Sequence, residues 1–361
     1  MKEEISSVTL YNIDLPSGVH FNKLTQVYAK YGEVEGCGEN VILVCHALTG
    51  SHRLTGQKRQ GEPDPWWIPM VGDGKAIDTR KFCAICFNNL CSPYGSTSPI
   101  SINPSDGTMW RMKFPILSPR DVAFAQHCAL NALGIKKIYA VVGGSLGGMI
   151  ASEYAISFPQ ATPRCVMIAA PDRLYPQAIA FNTVQRHTIM ADAEWNDGNY
   201  DGIGPAKGLA AARMLAMITY RSEQSFSKRY MRDMARGKAD DWQGQFKIES
   251  YLDHHGQEIL SRFDANCYLY LTRMMDLQDV GEGRGGIDNA WKQYSGNNFL
   301  GIGVSSDILF PNWQIEEAVR SADKNGVFAS YEEIESDNGH DSFLIDFDQL
   351  DDCLRPFIRN H

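Results

Sequence analysis

The sequence has no excess of basic charge: 34 Lys and Arg stand against 43 Asp and Glu, a formal net charge of −9. Sequence-independent nucleic-acid binding needs a basic surface that displaces counterions, so the balance argues against that class. No block of like charge suggests an interaction tail. There is no apolar run of 18 residues to cross a bilayer, and Met1-Lys2-Glu3-Glu4-Ile5 forms no apolar signal core. Nine cysteines are an odd number, scattered from Cys37 to Cys353 without the spacing of a disulfide framework. A reducing cytoplasm is the expected compartment. No HExxH word or paired His-carboxylate cluster points to a catalytic metal, and Cys83-x-x-Cys86 sits in an apolar run without a partner pair, which reads as buried thiols.

What is present is an ordinary globular composition, 43% apolar and 21% charged, in a chain of 361 residues. Such a length suits one large domain carrying an insertion. Unbroken apolar runs at 40–45, 82–87, 138–142, 165–169 and 299–304 read as strands covered on both faces. Helical patterns lie between them at 118–133 and 149–158, and this alternation predicts an α/β fold with a mostly parallel, doubly wound sheet. From about Arg173 to Gly296 the chain is rich in Met, Arg, Gln and Ala and lacks β-branched runs. We therefore expect a core of residues 1–172 and 297–361, interrupted by a helical cap over 173–296.

The sharpest feature is Gly143-Gly144-Ser145-Leu146-Gly147-Gly148, a G-x-S-x-G word with a predicted strand running in and a helix running out. A serine on so tight a turn adopts a strained backbone that pushes its Oγ out of the sheet, and only small neighbours let strand and helix pass that closely. The chain order Ser, Asp, His then selects Asp307, in a loop at the end of the last apolar run, and His340, in the polar loop Glu335-Ser336-Asp337-Asn338-Gly339-His340. For the oxyanion the candidates are the backbone N–H groups of Leu146, at the start of the helix, and Leu48, in the loop Cys45-His46-Ala47-Leu48-Thr49-Gly50. His46 reads as a hydrogen-bonded loop histidine. The word Gly281-Glu282-Gly283-Arg284-Gly285-Gly286 matches G-x-G-x-x-G but follows no buried strand, so it reads as a flexible loop rather than a dinucleotide site.

With the triad placed, the surrounding words resemble the homoserine O-acetyltransferases, an α/β-hydrolase-fold family of methionine biosynthesis. The resemblance rests on Cys45-His46-Ala47-Leu48-Thr49-Gly50, Gly72-Asp73-Gly74-Lys75-Ala76-Ile77-Asp78-Thr79, Ser101-Ile102-Asn103-Pro104, Ala180-Phe181-Asn182, Ile218-Thr219-Tyr220, Arg262-Phe263-Asp264-Ala265-Asn266 and Gly339-His340-Asp341. It implies ping-pong transfer of an acetyl group from acetyl-CoA, as co-substrate with no tightly bound cofactor, to L-homoserine through an acyl-Ser145 intermediate. It further implies that Arg186 clamps the amino-acid carboxylate, that Asp341 faces its ammonium, that Tyr220 lines the tunnel, and that the enzyme is a homodimer. The chain departs from the family pattern at Leu146, Thr183 and Cys91-Ser92-Pro93. Succinyl-transferring relatives tend to carry arginine two residues after the triad aspartate; here Leu309 stands there, which favours acetyl. A serine or succinyl variant of the transferase, and an esterase using water as acceptor, remain the alternatives.

Overall fold

The computed structural model describes residues 3–359. Its centre is an eight-stranded sheet in the order β1-β2-β4-β3-β5-β6-β9-β10. The strands are β1 (Glu3–Asp14), β2 (His20–Tyr31), β3 (Val41–Cys45), β4 (Cys83–Phe87), β5 (Ala140–Gly144), β6 (Arg164–Ile168), β9 (Asn298–Val304) and β10 (Phe328–Ile334); the short pair β7 (Met234–Arg236) and β8 (Gln245–Phe246) lies apart. Pairing is antiparallel from β1 to β4 and parallel from β4 to β10. The α/β class and mostly parallel sheet are as the apolar runs predict.

Strand periodicity sorts the core into two layers. Val41, Leu43 and Cys45 of β3 face helices α1 (Pro119–Ala132) and α2 (Leu146–Ser157), while Ile42 and Val44 face the opposite side. There they meet Trp67, Met70, Val71 and Leu350, Leu354 and Ile358 of the C-terminal helix α10 (Phe347–Arg359). Burial on both faces explains why β3, β4 and β5 read as continuous apolar words. The apolar criterion misses three of the eight strands. β1 and β10 are sheet edges with largely exposed or half-exposed residues, and β2 alternates buried and exposed positions, so none of them carries an apolar run.

Between β6 and β9 the chain is mostly helical, with the pair β7–β8 between its third and fourth helices: α3 (Pro176–Met190), α4 (Ala206–Tyr220), α5 (Glu223–Tyr230), α6 (Lys247–Leu260), α7 (Ala265–Asp276) and α8 (Ile287–Gln293), followed after β9 by α9 (Asn312–Lys324). α3 packs on α4 and α7, and α4 on α6. α8 returns to the core, where Trp291 donates to Asp172 at 3.1 Å and Tyr294 donates to the Thr162 carbonyl at 2.8 Å. The loop 281–286, expected to be flexible, is pinned. Arg284 reaches Glu153 on α2 at 2.8 Å and donates to Ser157 at 2.7 Å.

The register carries functional meaning. Cys45 pairs with Gly143 and Ile168 with Gly144, so the carboxyl ends of β3, β5 and β6 finish side by side. Sites in such sheets form beyond those ends.

The start of α1 also ties the edge hairpin to the core. Ser118 caps the helix with Pro119 behind it, and its N–H and hydroxyl both donate to Asp121 Oδ2, at 2.7 and 2.8 Å. The other oxygen of the buried Asp121 accepts from the Ser17 N–H at 2.9 Å, in the turn between β1 and β2. Asp121→Ala should therefore destabilise the fold more than Ser118→Ala, about 2 against about 1 kcal/mol, because it removes the one buried acceptor shared by donors on two elements. Urea unfolding followed by circular dichroism reads the order; equal losses would contradict the link.

Candidate active site

The turn from β5 into α2 positions the nucleophile. Ser145 has φ +57 and ψ −127, a backbone conformation rare for a residue with a side chain. Its N–H donates to the Ile168 carbonyl at 2.9 Å, which fixes the turn against β6. Glycine is obligatory on either side: a Cβ at Gly143 would lie 2.0 Å from the Gly147 carbonyl oxygen, and one at Gly147 would lie 2.0 Å from that of Cys45. The helix start and the end of β3 are thus pressed against the elbow.

The three triad residues converge. His340 Nε2 lies 2.9 Å from Ser145 Oγ, and Nδ1 lies 2.7 Å from Asp307 Oδ2. The other Asp307 oxygen accepts the N–H groups of Leu309 and Phe310, at 2.8 and 2.9 Å, so the carboxylate cannot rotate away. The proton therefore sits on Nδ1, leaving Nε2 to accept from the serine hydroxyl. His340 is buried among the rings of Tyr220, Phe310 and Phe343. Burial, the largest influence, disfavours its imidazolium. The charge of Asp307, its hydrogen bond and the charge of Asp341 together outweigh that and raise the pKa above the ordinary value.

Leu146 opens α2 and carries one of the N–H groups that a helix leaves unpaired. Leu48 lies in the loop after β3, and among the described residues its N–H has no acceptor. His46 is structural: Nε2 accepts the Asn89 N–H at 2.9 Å while Nδ1 donates to the Ala47 carbonyl at 2.8 Å, and burial pulls its pKa down to about 4. Cys83 and Cys86 are buried, free thiols on β4.

Ser145 and His340 open into a cavity of about 1090 Å³ between the core and the helical insertion. The core contributes Leu48, Trp66, Tyr94 and Phe343; the insertion contributes Tyr200, Arg213, Tyr220 and Phe263. Arg262 donates across the gap to the Thr49 carbonyl at 3.1 Å, tying the insertion to the Leu48 loop. Tyr220 and Asp341 both line the cavity. Burial pushes the Tyr220 phenol up to about 12, so it stays a neutral donor.

Arg186 is a correction. It does not line this cavity: its guanidinium lies 2.6 Å from Asp276 on α7 and donates to Thr183, an arrangement internal to the insertion. A buried cation that does line the cavity is Arg213, which sequence reasoning missed. It is 8% exposed, its Nη1 has no acceptor among the described residues, and its guanidinium lies 5.5 Å from the Tyr220 ring. The available signal is the spacing. Arg213 and Tyr220 are seven residues apart on α4, two helical turns, and so share a face.

Because neutral His340 must accept the serine proton, donor-side kcat/KM should fall on acidification through a pKa above the ordinary imidazole value. Asp307→Asn removes the charge that raises it, so the limb should move to lower pH and the rate should drop roughly 10⁴-fold. A pH–rate profile of both proteins decides this; a limb that stays in place would contradict the assignment.

Comparison with known proteins accords with this geometry. Residues 40–347 match the family described as alpha/beta hydrolase fold. The homoserine O-acetyltransferase of Moorella thermoacetica is 44% identical over 350 residues, covering 96% of this chain and 93% of that protein. The one from Symbiobacterium thermophilum is 42% identical, covering 96% and 91%. Among solved structures, homoserine O-acetyltransferase from Bacillus anthracis superposes with a TM-score of 0.93 at 26% identity, covering 100% and 98%. Esterase E22, at 24% identity and a TM-score of 0.90 over 99% and 100%, shares the fold. This chain belongs to the homoserine O-acetyltransferase family, built on the α/β hydrolase fold.

Proposed function

We propose that the protein transfers an acetyl group from acetyl-CoA to the hydroxyl of L-homoserine, in two steps through an acetyl-Ser145 intermediate. The relatives' shared activity supports the reaction. The observation that carries the acceptor is Arg213: a buried guanidinium with no carboxylate partner among the described residues, lining the same cavity as Asp341, Tyr220 and the catalytic pair. A cation and an anion facing one cavity suit the carboxylate and ammonium of an amino acid, and a planar fork suits the carboxylate.

In the first step Ser145 Oγ attacks the thioester carbonyl as its proton passes to His340 Nε2. The developing oxyanion is met by the N–H groups of Leu48 and Leu146, each worth roughly 3 kcal/mol of transition-state stabilisation. The C–S bond breaks, and the leaving CoA sulfur takes the proton from Nε2. In the second step the homoserine hydroxyl gives its proton to Nε2 while its oxygen attacks the acetyl carbon. Ser145 then leaves, reclaiming the proton. Asp307 holds the tautomer throughout.

Leu309 supports acetyl over succinyl, since it is buried and apolar and brings no cation for a second carboxylate. In this reading acetyl-CoA enters as a co-substrate and free CoA leaves. Its phosphates need local positive charge; Arg111 lines the cavity, where it pairs with the exposed Asp201 at 2.9 Å, a contact that a phosphate would compete with. A cytoplasmic homodimer completes the proposal, with the free cysteines in keeping with a reducing compartment.

The reading separates two arginines. Arg213→Leu should raise the homoserine KM on the order of a hundredfold with acylation by acetyl-CoA little changed. Arg186→Leu should leave that KM alone and lower stability by about 2 kcal/mol, since the buried Asp276 then keeps only Asn182 at 2.9 Å and the more distant Arg273 at 3.6 Å. Steady-state kinetics with O-acetylhomoserine as the measured product, alongside thermal melts, test both; the reverse pattern would return the carboxylate site to Arg186.

A further inference from the structure

The insertion does more than roof the cavity: it touches the catalytic histidine's own loop. α4 ends at Tyr220, Arg221 turns out in an extended conformation, and Ser222 caps α5. This three-residue junction lies directly against 337–341. Gly339 has φ +73, and a Cβ there would meet the Arg221 and Ser222 backbone at 2.8 Å. The Ser222 hydroxyl donates to the Asp337 carbonyl, and Lys228 pairs with the Asp337 carboxylate. Behind them, Ser306 ties the loop of Asp307 to the same segment, donating to the Ser336 carbonyl and accepting the Gly339 N–H at 3.0 Å.

Within this clasp Arg221 Nη2 lies 3.4 Å from Asp341 Oδ2, with both side chains largely buried at 13% and 18% exposure. Nε and Nη1 of Arg221 are buried without an acceptor among the described residues. Among the described residues Asp341 is thus the one anion paired with this guanidinium, and the separation is that of an ion pair rather than a short hydrogen bond. An ammonium can approach the same carboxylate without first displacing a tight bond.

We infer that Arg221 is a positioning residue, which anchors Asp341 in the acceptor pocket and offsets its charge beside His340. The inference rests on the acceptor reading above. Around His340 the charged and titratable groups are Asp307 from the β9 loop, Asp341 from its own loop, Ser145 from the elbow and Tyr220 from α4; Arg213 from α4 and Tyr251 from α6 stand further out. Of these, Asp341 is the anion whose charge Arg221 balances, so removing Arg221 leaves it free to hold a proton on the imidazole.

The test compares Arg221→Gln and Arg221→Lys with wild type. The burst of free CoA thiol on mixing with acetyl-CoA is followed against pH, and homoserine KM is measured separately. For the glutamine variant the acid limb of acylation should move up by about one pH unit, and homoserine KM should rise roughly tenfold as the carboxylate, still beside the imidazole, loses its fixed orientation toward the ammonium. Lysine, which keeps the charge, should restore most of both. An unmoved limb, a fall in KM, or a lysine variant as impaired as glutamine with a parallel loss of Tm would overturn the inference. Failure of the acceptor reading is distinguishable, because wild type itself would then leave homoserine unacetylated while the acylation limb stayed measurable.

Discussion

The backbone of Ser145 is the constraint on which the site depends. A serine held at positive φ is costly in isolation, of order 1–3 kcal/mol, and persists only where its surroundings over-determine it. Here they do so from three sides: the hydrogen bond to Ile168 on β6, the contact of Gly143 with Gly147, and the contact of Gly147 with the end of β3. The same compression brings the Leu48 loop beside the first N–H groups of α2. The strained Ser145 and the N–H groups proposed for the oxyanion are therefore products of one packing arrangement.

The other half of the triad is placed with equal economy of parts. β9 and β10 pair in parallel, and the loops that follow them, carrying Asp307 and His340, are stitched together by Ser306 and Ser336. The helical insertion then closes on both halves at once. Arg262 reaches the Leu48 loop, and the junction at Tyr220–Ser222 rests on the His340 loop. The residues proposed for acceptor recognition and those of the triad therefore rest on shared contacts.

The parts of this arrangement that sequence makes legible are those under the strongest local demand. β3, β5, β6 and β9 are buried on both faces and must be apolar throughout, and the elbow must be glycine where backbones touch. The edge strands β1 and β10 face solvent and are free to vary, so their words carry little signal. Arg186 and Arg213 illustrate a different limit. Both lie on helices of the insertion whose apolar residues are spread around the helix rather than gathered on one face, and which arginine faces the cavity depends on how α3 and α4 pack, which is decided by contacts far off in sequence such as that between Arg186 and Asp276. The triad escapes this ambiguity because its loops leave strands whose positions are already fixed.

The central claim is that acetyl-Ser145 is an intermediate reserved for an amino-acid acceptor. Intact mass spectrometry after a single addition of acetyl-CoA should show one acetyl adduct, absent in Ser145→Ala, that persists in buffer and clears on addition of homoserine with O-acetylhomoserine as product. An adduct that water clears as fast as homoserine does would contradict the account and make this protein a hydrolase.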